Sequence, residues 1–197
     1  ACWAAPTRAL ESAPAATARA TASLVSEVDS VMPGHPFRIG LRLQLAPGWH
    51  TYWQNPGDAG IPPELELELP SGASAGPIAW PVPQRIAEGA LMTYAYTGDL
   101  LLPLTVTPAP AGGATIKAHA NWLVCREICV PEEASFQLDL PAGAGIASAE
   151  APLFAAAFEK TDELAGKQLT HAHVLENDLL KAYTPDGYTT ALEQLIK

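Results

Sequence analysis

The feature that most restricts the fold is a strict alternation of apolar and other residues along much of the chain. Between residues 37 and 45, Phe37, Ile39, Leu41, Leu43 and Leu45 occupy every second position, and residues 64–69 repeat Glu-Leu three times. A period of two is typical of a β-strand with one face in a core and the other towards solvent. These segments therefore predict half-buried strands.

Further strands are predicted at residues 22–28, 100–106, 114–124 and 134–140, the last two with the same alternation. Gly- and Pro-containing turns separate them, and Pro33-Gly34 predicts a hairpin between the first strand and residues 37–45. Residues 84–96 have no clean period and predict a long loop. Six to eight short strands of this kind predict an all-β sandwich.

The two ends differ in composition from this central part. Residues 1–20, rich in Ala, Pro, Thr and Ser, predict a flexible tail, and residues 21–141 hold the sandwich. Residues 142–197 predict a mostly helical extension of unknown role. Its first helix has Phe154 and Phe158 on one side and Gly166 as a stop signal, and further helices are expected at 174–182 and from 191.

Charge and hydropathy exclude several classes of function. The 21 acidic and 11 basic residues give a net charge of −10, which argues against nucleic acid or an anionic membrane as partner. No run reaches the roughly 18 apolar residues of a membrane span. The chain as given predicts a soluble protein, and its N-terminal composition favours export.

An aromatic segment follows the strand at residues 37–45. Trp49, Thr51 and Trp53 share one parity, and His50 and Tyr52 share the other, which predicts one buried and one exposed face. Aromatic residues of a sandwich core are the favoured interpretation, and a ligand-stacking platform is the alternative.

The candidate chemistry lies in Cys125 and Cys129, at the end of the predicted strand at 114–124. A three-residue hairpin loop would place them opposite each other, close enough for a disulfide. Strand parity puts Cys125 on the face away from Trp122. A ring of five residues stabilises a fold by only about 2 kcal/mol, so redox exchange is favoured over a structural bridge. Cys125, which ends a strand, is the first candidate for attack.

Two other functions remain open. One is a copper- or zinc-binding module that uses the same cysteines, with His119 or the His171 and His173 pair as further ligands, although no second cysteine pair supports it. The other is a structural sandwich that mediates adhesion. Cys2 has no evident partner. If Cys125 and Cys129 carry out redox exchange, we expect no bound cofactor or metal.

Several motifs occur in an order that resembles a known family. These are residues 48–60 (Gly-Trp-His-Thr-Tyr-Trp-Gln-Asn-Pro-Gly-Asp-Ala-Gly), Trp80-Pro81-x-Pro83, Tyr96-x-Gly98, and Trp122-Leu123-Val124-Cys125-x3-Cys129-x-Pro131-Glu132. They resemble the N-terminal periplasmic domain of the DsbD family of thiol:disulfide interchange reductases, and its ScsB-like (suppressor of copper sensitivity) branch in particular. The resemblance covers residues 18–140.

The resemblance implies an immunoglobulin-like sandwich in the periplasm, as one domain of an inner-membrane protein. Electrons from cytoplasmic thioredoxin would pass through a membrane domain and a thioredoxin-like domain to Cys125 and Cys129, and then to partner oxidoreductases of thioredoxin-like fold. Copper tolerance would follow from the ScsB-like branch. A cap loop that shields the disulfide is expected within residues 88–96, and its candidate residues are Glu88, Leu91, Met92, Tyr94 and Tyr96.

Overall fold

The computed structural model of the chain describes residues 10–89 and 91–169. Cys2, His171, His173 and the helices expected at 174–182 and from 191 lie outside the described residues. The elements in chain order are β1 (Ala15–Ala16), β2 (Ala20–Ser26), β3 (Phe37–Leu45), β4 (His50–Gly57), β5 (Glu64–Glu68), β6 (Ser74–Ala75), β7 (Gln84–Glu88), β8 (Leu91–Thr97), β9 (Asp99–Thr107), β10 (Ala114–Cys125), β11 (Cys129–Leu140) and α1 (Ala151–Leu169).

The strands form two sheets. One has the order β1-β2-β3-β9-β6, and the other has the order β11-β10-β4-β8-β7. β5 pairs with residues 117–121 of β10. The apolar residues predicted from the alternation meet between the sheets, and Leu24, Ile39, Leu41, Leu102 and Ile116 are fully buried there. The fold is thus the predicted all-β, immunoglobulin-like sandwich with a C-terminal helix.

Most of the predicted strands are confirmed. The segment at 37–45 is β3, and it pairs with β2 as the expected hairpin. In β5 the leucines pack against the core while the glutamates are exposed. The prolines between Ile78 and Pro83 keep that segment out of both sheets.

The prediction of a long loop at residues 84–96 is wrong. β7 and β8 form an antiparallel hairpin with Gln84 opposite Ala95 and Glu88 opposite Leu91. Thr93, Tyr94, Ala95 and Tyr96 are all buried, because β8 is covered on both faces. A strand that is buried on both faces has no alternation of polar and apolar residues, so its period was not visible in the sequence.

The part of the predicted flexible tail that the structure describes is packed against the fold. The Ser12 backbone N–H donates to the Leu24 carbonyl, the Ser12 hydroxyl accepts from the Leu24 N–H, and Leu10 is buried. The reason is that residues 10–16 pair along the open edge of β2, which would otherwise expose unpaired backbone groups.

Helix α1 covers the outer face of the first sheet. Phe154 and Ala157 pack on Val25 of β2 and Leu101 of β9, and Phe154 has no exposed surface. Arg42 of β3 donates to Asp99 and to Glu150 just before the helix, and the hydrogen bond to Asp99 raises the pKa of Arg42. The helix continues past Gly166, the predicted stop, to Leu169. No helix among the described residues is long and apolar enough to cross a bilayer.

Candidate functional site

The two cysteines form the last pair of the longest hairpin in the second sheet. β10 and β11 stay in register from Ala114 opposite Leu140 to Cys125 opposite Cys129, with residues 126–128 as the three-residue loop. The cysteines are joined by a disulfide, and their Cα atoms are 4.1 Å apart. The predicted hairpin and bridge are both present.

The two sulfur-bearing residues differ sharply in exposure. Cys125 is only 2% exposed, because its strand also pairs with β4 at His50. Cys129 is exposed, since β11 is the edge strand of the sheet, and the adjacent Ile128 is 67% exposed. This exposure favours Cys129 over Cys125 as the first point of attack, and the order of attack stays a prediction.

Cys125 lies in a small apolar cluster of its own, separate from the main core. Its buried neighbours are Tyr52 of β4 and Ala95 of β8, with Ile86 and Leu123 packed around them. This placement agrees with the predicted strand parity, because Trp122 and Val124 point into the main core on the opposite face. Parity alone did not predict that a second layer of side chains would bury Cys125.

Tyr52 is the side chain that reaches the exposed sulfur from inside the fold. Its hydroxyl oxygen is 3.6 Å from Cys129 Sγ and 3.4 Å from His50 Nε2, and the two rings meet edge to face at 5.2 Å. Both side chains are buried. The prediction of an exposed face on this segment is therefore wrong, because β8 and the cysteine hairpin cover it.

The opposite face of the aromatic segment belongs to the core, as the favoured interpretation expected. Trp53 is buried and meets Tyr94 edge-on at 6.2 Å. Trp49 is partly buried, and the guanidinium groups of Arg19 and Arg126 lie over its ring, 5.9 Å and 5.4 Å from the ring centroid. The contact with Arg126 fixes the loop between the cysteines against β4 through a cation–π interaction.

A buried carboxylate fixes the base of the same hairpin. Glu132 lies opposite Trp122 and accepts hydrogen bonds from Trp122 Nε1 at 3.1 Å, from Arg19 Nε at 2.7 Å and from the Thr17 hydroxyl at 2.8 Å. A buried charge requires such partners, because desolvation is otherwise too costly. Residues 17–19 are thus linked to the strand that carries Cys129.

A shallow apolar groove lies on the outer face of β10 and β11, two residue pairs along the hairpin from the disulfide. It has a volume of about 400 Å³, and Leu123 and Pro131, the second pair below the cysteines, form part of its floor. Ile61, which is 60% exposed, and Pro62 form one wall. Glu64 and Glu133 also line the groove and give it an acidic rim.

The structure separates the five residues that were expected to shield the disulfide. Tyr94 and Tyr96 point into the core between the sheets, and the Tyr96 hydroxyl donates to the Pro81 carbonyl at 2.7 Å while burial raises its pKa. Met92 accepts a hydrogen bond from Arg85 at the β7–β8 hairpin. Glu88 and Leu91 are paired near the end of that hairpin.

The cluster around Cys125 is formed instead by Tyr52 of β4 and Ala95 of β8, with Ile86 of β7 packed against it. The sequence reading missed them because it could not show which strands are neighbours. One signal was available: His50 and Tyr52 share a parity that the core aromatics do not use. Because His50 pairs with Cys125, the face that His50 and Tyr52 share is the face that lies beside the cysteines.

The metal-site alternative gains no support from the described residues. No group of three or more His, Cys, Asp or Glu side chains among residues 10–89 and 91–169 is arranged to hold an ion. His119 instead contacts the Ser135 hydroxyl at 3.1 Å and Glu133 at 3.9 Å.

Comparison with known proteins gives consistent findings. The family described as "Thiol:disulfide interchange protein DsbD, N-terminal" matches residues 21–141. The fold is similar to the crystal structure of the N-terminal periplasmic domain of ScsB from Proteus mirabilis, with 22% identity and a TM-score of 0.59 over 77% of this chain. The chain spans only 59% of the length of that structure.

A second solved structure is more distant. It is the reduced N-terminal domain of DsbD from Neisseria meningitidis, with 14% identity, a TM-score of 0.33, and coverage of 64% of this chain and 90% of that one. A search of curated proteins found no match.

Proposed function

The chain belongs to the family of N-terminal domains of thiol:disulfide interchange protein DsbD, and from that membership we propose that it is a periplasmic electron-relay domain. It accepts electrons from a thioredoxin-like or membrane domain and passes them to partner oxidoreductases through Cys125 and Cys129. The observation that carries the proposal is the asymmetric disulfide, with one exposed and one buried cysteine at the end of a hairpin.

The asymmetry supports a defined order of bond changes. A thiolate of the electron donor attacks the exposed Sγ of Cys129, and the disulfide breaks with its electron pair going to Cys125 as a thiolate. The second thiolate of the donor then attacks the donor's own sulfur in the mixed disulfide and releases Cys129. The donor leaves oxidised, and this domain holds two reduced cysteines.

The second half of the cycle reverses these roles. The Cys129 thiolate attacks the disulfide of a partner oxidoreductase, whose second sulfur leaves as a thiolate. Cys125 then attacks Cys129 Sγ and re-forms the internal bridge, so the partner departs with both electrons. The 4.1 Å between the two Cα atoms keeps Cys125 within reach for this resolving step.

The surface around Cys129 suits a docking partner. Ile128 at the hairpin tip and Ile61 in the wall of the groove are exposed apolar residues, and exposed apolar patches mark protein contacts. We include in the proposal a shielding role for the β7–β8 hairpin. Ala95 belongs to the apolar cluster that contains Cys125 and Ile86 packs against that cluster, and Glu88 and Leu91 near the end of the hairpin are the proposed cap.

Trapping of a mixed disulfide tests the proposal. In the Cys125→Ala variant, Cys129 can attack an oxidised thioredoxin-like protein but the resolving sulfur is absent, so a covalent complex should accumulate. In the matched Cys129→Ala variant only the buried Cys125 remains, and little complex should form. Both variants need Cys2→Ser, and non-reducing gel electrophoresis with mass spectrometry measures the complex.

Two results would contradict the proposal. One is the absence of a complex in both variants with a panel of thioredoxin-like periplasmic proteins. The other is a reduction potential well below about −300 mV, which is the range of structural disulfides that resist exchange.

A further inference from the structure

Two buried polar side chains lie behind the disulfide and are not used by the bond changes described above. A line of contacts runs from His50 Nε2 to the Tyr52 hydroxyl at 3.4 Å, and from that hydroxyl to Cys129 Sγ at 3.6 Å. Both side chains are buried, although the burial of a polar group costs desolvation free energy. The burial of Tyr52 against one sulfur of the pair, with His50 in contact with its hydroxyl, suggests a chemical role.

Resting on the function proposed above, we propose that Tyr52 is a catalytic residue for the exchange reaction and that His50 is its positioning residue. In the reduced protein the Tyr52 hydroxyl donates a hydrogen bond to the Cys129 thiolate. A hydrogen bond to the charged form lowers the pKa of that thiol. Because the thiolate is the attacking species, Tyr52 increases the fraction of the reduced protein that can react.

The same three groups account for the proton that Cys129 must lose. With the thiol protonated, Sγ–H donates to the Tyr52 oxygen, and the Tyr52 hydroxyl donates to His50 Nε2. When each proton moves one step, Cys129 becomes a thiolate, Tyr52 stays neutral and His50 becomes protonated at Nε2. After the thiolate has formed its bond to the partner's sulfur, the proton on His50 passes to the departing partner thiolate or to water.

The surroundings contain few competing charges. The residues nearest to Tyr52 on this face of the neighbouring strands are uncharged: Gln84 and Ile86 on β7, Thr93, Ala95 and Thr97 on β8, and Leu123 and Asn121 on β10. Glu88 on β7 and Glu133 on β11 are the charged residues further along the same face. The nearby ionisable groups are Cys125, Arg126 and Glu127 at the hairpin tip, Glu133 further along β11, and Glu88 at the end of β7. Arg126 would also favour the thiolate, so the test must separate its effect from that of Tyr52.

The test measures the pH dependence of Cys129 alkylation by iodoacetamide in the reduced full chain, with Cys2→Ser and Cys125→Ala leaving a single thiol. Tyr52→Phe keeps the ring and removes the hydroxyl, so it should lower the alkylation rate near neutral pH about tenfold, as expected for one hydrogen bond to a charged group. His50→Gln should move the profile in the same direction by less, because the amide N–H can donate to Tyr52 but cannot take up a proton.

Tyr96→Phe is the matched control. It also removes a buried tyrosine hydroxyl with a hydrogen-bond partner, but this hydroxyl faces the main core and should leave the profile unchanged. A change of less than twofold in the alkylation rate near neutral pH in Tyr52→Phe overturns the inference. A shift in Arg126→Gln without one in Tyr52→Phe does so as well, because it assigns the thiolate to the guanidinium.

The alkylation profile does not depend on any partner, so the two proposals fail separately. A shifted profile in a protein that exchanges with no thioredoxin-like partner supports the role of Tyr52 and rejects the proposed function. Efficient exchange with an unshifted profile does the reverse.

Discussion

Reduction of the Cys125–Cys129 disulfide should lower the free energy of unfolding by about 2 kcal/mol and leave the fold intact. The bridge closes a ring of only five residues, because the cysteines are four positions apart. Loop-closure entropy for a ring of this size gives about 7 cal/mol/K, or about 2 kcal/mol at 25 °C.

Several interactions that do not involve sulfur hold the same hairpin in place. β10 and β11 remain paired down to Ala114 and Leu140, and Glu132 keeps its three hydrogen bonds at the base of the tip. The stacking of Arg126 on Trp49 also survives reduction. A stable domain of this kind, at about 5–15 kcal/mol, tolerates the loss.

Equilibrium urea unfolding of the oxidised and the dithiothreitol-reduced protein measures the difference, with Cys2→Ser in both samples. For a urea slope of about 2 kcal/mol/M, the midpoint should fall by about 1 M on reduction. A loss above about 4 kcal/mol, or a reduced protein without a cooperative transition, would refute the small-ring argument. The bridge would then be a structural staple.

Two further predictions concern parts of the fold away from the disulfide. Phe154→Ala should lower the free energy of unfolding in urea by about 3–5 kcal/mol, because the side chain is fully buried against the first sheet. The control Lys160→Gln, at an exposed position, should lower it by less than about 0.5 kcal/mol. A similarly small loss for Phe154→Ala would mean that α1 unfolds independently. Burial raises the pKa of Tyr96 above its unfolded value near 10, so its contribution to stability is complete below about pH 10 and is lost as the pH rises further. Urea midpoints at pH 9 and pH 11 should therefore differ less in Tyr96→Phe than in the wild type, and equal differences would contradict this origin.

The sequence was sufficient to predict a strand where one face of that strand packs on the core and the other faces water. Residues 37–45 and 114–124 show this alternation and became β3 and β10. It was insufficient at β8, where both faces are buried, and at residues 10–16, where backbone pairing to an edge strand holds a segment with little apolar periodicity. Neither situation leaves a period in the sequence.

The cysteine hairpin shows the same division within one site. The three-residue spacing and the strand parity determined that Cys125 and Cys129 face each other and that Cys125 points away from Trp122, because these are properties of a single hairpin. Only the tertiary structure decided that β4 and β8 cover Cys125 and leave Cys129 open, and that Tyr52 and His50 stand behind the exposed sulfur. The contact of Tyr52 with Cys129 joins residues 77 positions apart. Its existence depends on the order of strands in the sheet, which local pattern does not encode.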